Sequence, residues 1–469
     1  MKKKSIQSSI QAHELTNSSM PSVLDNSPVI EKSSTKKQLV FSFTLLTFLV
    51  LATIFAILYA RGYRLLVSKG SPTVSKTGIL NVTSAPNSAQ VYIDGHLTGT
   101  TASTINLPPN KYTVKVTKDG YYDWQKDVQI QTEVVTSIDA LLFPNSPTLQ
   151  SISTFGVEQA LVDPSGSKLA FKIASQSARK NGIYVFNMTS RNLPILAGQS
   201  SSTQIVDDTV DNFSGSLLTW SPDGTQLLAS ISATIDNSNP DQALSPSVLR
   251  SSTGSSTYYL LKTDSFNDTP QDVTATISDL FDTWKNQRLD KEQALIKSLK
   301  PKVQQFSRDN FHILSWSPDE TKILYQASQS AQMPIFITPR RIGNNLLYER
   351  RDLKKGAIYV YDITEDINTR IVDTIDQICT ETDSSCISSA NPPLQLNPFT
   401  WFPDSGHLVY VNNHKIQIIE DDGSNMTTIY AGPFIGNYVY PWPDGSKIVI
   451  LTNLNNPSVS PTLYTIGLK

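Results

Sequence analysis

One signature recurs five times in the C-terminal two thirds of the chain. The copies are Asp163-Pro164-Ser165-Gly166, Trp220-Ser221-Pro222-Asp223-Gly224, Trp316-Ser317-Pro318-Asp319-Glu320, Trp401-Phe402-Pro403-Asp404-Ser405-Gly406 and Trp442-Pro443-Asp444-Gly445. Proline fixes φ at the entry of a turn, aspartate accepts from a nearby backbone N–H, and glycine permits positive φ, so each copy reads as a hairpin turn. An apolar strand follows every copy, and a second comes later: Ile183–Phe186, Tyr258–Leu261, Ile358–Tyr361, Ile416–Ile419 and Leu463–Ile466. Each unit is a small meander that cannot bury both faces alone and must stack on its neighbours.

The motif prolines, Pro164, Pro222, Pro318, Pro403 and Pro443, are spaced by 58, 96, 85 and 40 residues, and the shortest spacing equals one four-stranded propeller blade. The motif resembles the Trp-Ser-Pro-Asp-Gly repeats of TolB-like β-propellers and covers nearly all of residues 147–469; its five copies mark five blades, and the long gaps leave room for a sixth. The last unit shows only three strands. Leu149-Gln150-Ser151-Ile152-Ser153 is expected to supply its fourth and so close the ring. Between the second and third copies, Leu280, Phe281, Trp284, Leu295, Ile296 and Leu299 recur with partial helical period. They predict an inserted helix over about 278–300, capped by Ser278 or Asp279 and ended by Pro301. It serves either as a partner-binding projection or as a helix lying on the propeller's own rim, the reading its apolar ends favour.

Residues 38–60 carry no charge, and 18 of the 23 are apolar. A helix of that length reaches about 35 Å, enough to cross a bilayer core of about 30 Å. The run is longer than a signal-peptide core and is followed by Arg61 and Arg64 instead of small residues, so it reads as an uncleaved signal anchor. Lysines and arginines flank it on both sides. The long domain that follows places the N terminus in the cytoplasm and residues after Ala60 outside, at the cell membrane. Residues 1–37, serine-rich and poor in aromatics, are expected to form a disordered cytoplasmic tail.

After a linker at 61–77, residues 78–144 alternate with period two: Leu80/Val82, Val91/Ile93, Tyr112/Val114/Val116 and Val128/Ile130. These are half-buried strands of an antiparallel sandwich. Asp94-Gly95 is the dipeptide a two-residue hairpin prefers. The stretches Ser84–Gly95, Leu107–Tyr112 and Lys118–Tyr121 resemble the PEGA domain, which implies a surface β module of the cell envelope. The pattern is departed from in two places: Asn87-Ser88 stands for the name-giving Glu-Gly, and Asn110 stands where glycine commonly follows the proline. Tyr121, Tyr122 and Trp124 read as a packed strand edge, with a sugar-stacking platform as the alternative. Pro144-Asn145-Ser146-Pro147 marks the boundary with the propeller. The fold class expected is therefore all-β: one transmembrane helix, a small PEGA-like sandwich, and a β-propeller of five or six blades with a helical insertion.

Thirty-nine basic against 41 acidic residues leave a net charge of −2, with no basic field for nucleic acid. No Gly-x-Ser-x-Gly elbow, Walker loop or His-Glu-x-x-His motif occurs. No catalytic, cofactor or metal residue is therefore expected. Outside the membrane Cys379 and Cys386 are placed to close a short surface disulfide; in a reducing compartment they are free thiols. His407 and His414 fall in one hairpin without a third ligand, and Glu420-Asp421-Asp422-Gly423-Ser424 reads as a hairpin turn in preference to a weak calcium loop. The function expected is a membrane-anchored, extracytoplasmic binding or scaffolding protein whose partner is a protein or a cell-wall glycan. A propeller hydrolase or lyase with channel carboxylates, or a purely structural spacer, is the alternative.

Overall fold

The computed structural model describes residues 35–60, 63–68, 71–153, 155–189, 202–232, 256–373, 375, 378, 397–435 and 438–469. The chain divides into two compact units, Met1–Arg61 and Gly62–Lys469. The first contains helix α1 (Thr35–Ala60), three residues longer at its start than the charge-free run. Its stretch Leu39–Ala60 is long and apolar enough to cross a membrane, and none of it is buried against protein. A helix apolar all round has no polar face to offer water.

In the second unit, the stretch expected as a linker instead holds a hairpin of β1 (Tyr63–Ser68) and β2 (Ser71–Lys76). The sandwich follows, with β3 (Gly78–Ala85), β4 (Gln90–Ile93), β5 (His96–Thr100), β6 (Ser103–Leu107), β7 (Lys111–Thr117), β8 (Trp124–Gln129) and β9 (Val135–Leu141). Its sheets run β6-β3-β9 and β5-β4-β7-β8. The alternating residues named above fill the core: Leu80, Val82, Val91, Val114, Val116, Val128 and Ile130 are buried. The sandwich is not wholly antiparallel, because β9 lies parallel to β3. Side-chain alternation has period two in either direction, so it carries no information about pairing direction. Asp94 (φ +48°) and Gly95 (φ +81°) make the expected two-residue turn. Ser88 takes the left-handed conformation (φ +62°).

The propeller comprises five four-stranded sheets among the described residues. Sheet I is Ala160–Val162, Lys168–Ile173, Gly182–Asn187 and Ser202–Asp207; sheet II is Leu217–Trp220, Gln226–Ser232, Ser256–Lys262 and Gln271–Asp272. Sheet III is Phe311–Trp316, Lys322–Ala327, Ile358–Asp362 and Ile367–Val372. Sheet IV is Phe399–Trp401, His407–Asn412, Lys415–Glu420 and Thr427–Tyr430. Sheet V is Val439–Pro441, Lys447–Thr452 and Thr462–Gly467, completed by Leu149–Ser151 from the other end of the propeller. Leu149, Gln150 and Ser151 pair with Ile466, Thr465 and Tyr464, and Ile152 N donates to Leu463 O at 2.9 Å, which is the expected closure.

The five motif turns each join the first two strands of a sheet. Asp223, Asp319, Asp404 and Asp444 each accept from the backbone N–H two residues on, at 2.8–3.1 Å. In the first copy Asp163, ahead of Pro164, accepts from Ser165, Ser167 and Lys168 N–H instead. Positive φ falls on Gly166, Gly224 and Gly445, but on Glu320 and Ser405 in the third and fourth copies. Gly406 is therefore not the left-handed residue of its turn.

Sheets V and I meet through Val449, Leu451, Leu169 and Phe171; I and II through Ile183, Val185, Leu227 and Ala229. Sheets III and IV meet through Leu324, Val360, Leu408 and Tyr410, and IV and V through Val409, Ile418, Ile448 and Ile450. The two remaining faces are covered by helices. The single helix expected over 278–300 is two, α2 (Ile277–Ser298) and α3 (Pro301–Asn310). Pro301 opens α3, where a missing N–H costs nothing, besides ending α2. The cap position of α2 is Thr276, whose side chain makes no capping bond, and Ser278 and Asp279 lie in the first turn and do not cap. Trp284 is buried on Leu228 and Tyr258 of sheet II, while Leu299 and Val303 cover Ile323, Tyr325, Tyr359 and Tyr361 of sheet III. The insertion thus lies on its own propeller, in the widest of the motif spacings.

Candidate functional site

The most elaborate constellation of polar side chains joins the sandwich to the propeller. Strand β8 is the edge of one sandwich sheet and β9 the edge of the other. An open edge offers unpaired backbone groups, and on β8 two propeller segments satisfy some of them. Asp127 N donates to Tyr348 Oη at 3.1 Å, and Asn345 Nδ2 donates to Asp127 O at 2.8 Å. Gln125 N donates to Asn425 Oδ1 at 3.0 Å.

Side chains complete the junction. Trp124, buried in the sandwich core, donates its indole N–H to Glu420 Oε1. Lys126 Nζ lies 2.6 Å from Glu420 Oε2 and 2.5 Å from Asp422 Oδ2, and 5.7 Å from the centre of the Tyr348 ring. Burial alone would lower the Lys126 pKa, but the two carboxylates raise it well above the ordinary lysine value. Asn425 Nδ2 adds a bond to Glu420 Oε1 at 2.8 Å. On the same turn Asp421 pairs with Lys322 at 2.9 Å. All three carboxylates of 420–422 are thus paired with two lysines from distant elements, and Gly423 turns the chain at φ +81°. This is the hairpin-turn reading of Glu420–Ser424, with the carboxylates occupied by ammonium groups.

Beside it, Phe143 meets Phe402 and His407 edge-on at 6.4 and 6.0 Å. His407 Nδ1 is 2.7 Å from Asp404 Oδ2. Burial would lower the His407 pKa, yet the bond to Asp404 and the charges of Asp404, Glu420 and Asp421 outweigh it and raise the pKa above the ordinary histidine value. The motif aspartate Asp404 therefore does more than make its turn. His414 sits apart, in the turn of the same hairpin at φ +56°.

The segment reaching from sheet III to the sandwich is itself pinned. Arg340 and Arg351 both bind Glu349, at 2.5 and 2.6 Å, and Arg351 also reaches Asp366 at 3.0 Å. Asp366 accepts from the backbone of Phe336 and Ile337 at 2.8 and 2.9 Å. Burial would raise the Glu349 pKa, but the two guanidinium groups hold it below the usual carboxylate range.

The turn residues Pro164, Gly166, Pro222, Asp223, Gly224, Pro318, Asp319, Pro403, Asp404, Pro443, Asp444 and Gly445 are spread over five sheets, and turns of neighbouring sheets meet: Gly224 lies against Asp163, Gly445 against Phe402, and Asp319 N donates to Ser405 Oγ at 3.2 Å. Trp124 is sealed in the junction and Tyr121 packs on the sandwich core, leaving Tyr122 half-exposed, so the packed-edge reading holds. Cys379 and Cys386 lie outside the described residues. Among the described residues no group of three or more His, Cys, Asp or Glu is arranged to hold a metal. Sequence reasoning singled out the acidic turn and Trp124 separately. It had no signal that would join them, since the partners are some 300 residues apart.

Residues 77–145 match the PEGA domain. No curated protein matches the chain in sequence. Among solved structures it is similar to a TolB-type protein from Agrobacterium tumefaciens, at 15% identity over 66% of this chain and 79% of that one, TM-score 0.20. TolB from Acinetobacter baumannii follows at 12% over 76% and 60%, TM-score 0.19. An oligogalacturonate lyase in complex with manganese is 8% identical over 84% and 98%, TM-score 0.24. At such scores the propeller assignment rests on the sheet order and ring closure of this chain.

Proposed function

We propose that this protein is a membrane-anchored, extracytoplasmic binding or scaffolding protein of the cell envelope, not an enzyme. The observation that carries the reading is the junction: a PEGA domain, whose family belongs to cell-surface proteins, is fixed to a propeller by Trp124, Lys126, Glu420 and Asp422. Such a device holds two binding surfaces in constant relation, which a scaffold requires and a flexible tether would not supply. The polar and charged groups of the junction are spent on each other, with no carboxylate pair left for acid–base work. Protein or cell-wall glycan partners are the ligands this reading implies, with the N terminus in the cytoplasm.

The test is cross-linking in intact cells from a photoreactive residue on the propeller surface, with the attached species identified. Envelope proteins or wall glycan attached to the propeller support the reading. Recovery of cytosolic proteins alone overturns the topology and the function with it.

A further inference from the structure

The side chains that join the sandwich to the propeller also hold the parts of an acyl-transfer site. Lys126 stands on β8, paired with Val114 of β7, and its Nζ is 2.6 Å from Glu420 Oε2 and 2.5 Å from Asp422 Oδ2. The three side chains are 18, 8 and 13% exposed. The other oxygen of Asp422, Oδ1, accepts from Ser424 N at 2.9 Å and from Ser424 Oγ at 2.5 Å. Two donors on one carboxyl oxygen are what a tetrahedral intermediate needs at its oxyanion. Glu420 is fixed in turn by Trp124 Nε1 and Asn425 Nδ2 on its Oε1, which leaves Oε2 to the ammonium and to Ser424 Oγ at 3.2 Å.

The turn that carries the two acids is pinned to sheet III. Thr369 Oγ1 donates to Asp421 O at 2.6 Å, and a Cβ on Gly423 would lie 2.4 Å from Arg370 O. Nζ is one carbon–oxygen bond beyond its contact with Oδ2 from the carboxyl carbon, hence at most about 3.8 Å from it. Reacting atoms held at about 3–3.5 Å gain effective molarities far above those of free groups, which is what draws an amine and an acid toward the amide. With so little solvent around the three side chains, the reverse hydrolysis lacks its water.

We propose that Lys126 and Asp422 condense to an isopeptide bond that locks the sandwich to the propeller, with Glu420 carrying the proton and Ser424 holding the oxyanion. The ion pair is the resting state. One ammonium proton passes to Asp422 Oδ2, leaving a neutral amine beside a neutral acid. Nζ then bonds to the carboxyl carbon, a second proton goes from Nζ to Glu420 Oε2, and the negative charge gathers on Oδ1 against the two Ser424 donors. Collapse breaks the bond from carbon to Oδ2, which takes the proton back from Glu420 and leaves as water. One ammonium and one carboxylate thus become one amide and one water, and Glu420 ends as it began. The step consumes its own side chains once and turns over no substrate, so it belongs to a scaffold. It stands on the junction alone and is independent of the topology of α1.

The test takes the full chain, purified in detergent and then denatured, and measures its intact mass before digestion and a search for branched peptides. The expected result is a chain one water lighter than its sequence, with a branched peptide joining the segments around Lys126 and Asp422. Lys126→Arg and Asp422→Ala are expected at full sequence mass. Glu420→Gln keeps the volume but not the proton acceptor, and its bonded fraction is expected to be at least about tenfold lower, with a cooperative melt showing that it folds. A native chain at full sequence mass overturns the proposal, whatever the variants do. Equal bonding in Glu420→Gln overturns the role of Glu420. Asp422-Gly423 is also a step that can cyclise with loss of water, although the N–H it would use donates to Glu420 O at 2.9 Å. Water lost from an unbranched peptide that hydroxylamine cleaves is a succinimide at Asp422, and it overturns the cross-link.

Discussion

Trp124 and Glu420 are 296 positions apart in the chain, yet the indole N–H of the first is bonded to the carboxylate of the second at the centre of a buried junction. Lys126 shares that carboxylate, so the link consists of one neutral donor and one ammonium on a single acid. Removing the acid takes an acceptor from the indole N–H and from Asn425 Nδ2 and leaves Lys126 with Asp422 alone. Removing acid and cation together also leaves Asp422 without its ammonium partner.

Glu420→Ala is therefore expected to cost about 1–3 kcal/mol in urea unfolding, because it leaves a buried indole N–H without its acceptor while Lys126 keeps Asp422. Glu420→Leu with Lys126→Met is expected to cost less than the two single changes summed, although Asp422 is then left without its ammonium. An additive double variant, as destabilised as the two single changes summed, would show that the pair is not coupled.

His407 makes the junction pH-dependent. Its folded pKa is raised by Asp404, so the folded state holds its proton more tightly than the unfolded chain does. The stability it contributes is complete below the unfolded value of about 6.5 and is lost as pH rises through the folded pKa. Thermal unfolding between pH 5.5 and 9 should show a decline above about pH 6.5 that His407→Gln abolishes. An unchanged decline in the variant would assign it to other groups.

Lys172 has the opposite sign. It is buried between sheets I and II with Nζ 2.5 Å from Ser216 O, and burial lowers its pKa to about 8. Between that value and about 10.4 the unfolded chain binds the extra proton, so stability rises with pH across this window and the penalty is full below it. Lys172→Met is expected to stabilise the protein by about 1–3 kcal/mol at pH 7 and to flatten the rise. Destabilisation at pH 7 would mean that the bond to Ser216 outweighs the cost of burying the charge.

Repeat turns, second strands and the closing strand were legible because each rests on local chemistry. Proline, aspartate and a residue tolerant of positive φ make a turn wherever they occur together, and a three-strand final unit leaves one edge to be paired. Pairing direction was not legible, which is why β9 beside β3 came as a parallel strand. Nor was the junction, since nothing local to Lys126 indicates that its acids are Glu420 and Asp422. The division of the insertion at Pro301 was also missed, because proline that ends one helix is equally suited to begin the next.

Trp284 distinguishes a structural insertion from a projecting one. It is 3% exposed, packed on Leu228 and Tyr258 of sheet II. Trp284→Ala is expected to cost about 3–5 kcal/mol, against nearly nothing for the exposed neighbour Lys285→Ala. Equal stability of the two variants would free α2 from the propeller and restore the projecting reading.

Ring closure rests on three residue pairs, with Gln150 in the middle opposite Thr465. The flanking bonds, Gly467 N to Thr148 O and Ile152 N to Leu463 O, place Gln150 in a hydrogen-bonded pair whose N–H faces the last strand. Proline at 150 removes that donor, while alanine keeps it. Gln150→Pro is therefore expected to cost at least about 1 kcal/mol more than Gln150→Ala, and to increase aggregation by opening the edge of Thr462–Gly467. Because the sandwich is packed on sheets IV and V, both variants belong in the full chain, where Phe143 and Trp124 stay in place. Matching melting temperatures and monomer yields for the two would mean that the last sheet is held by its other three strands, and that the closing strand contributes nothing to the ring.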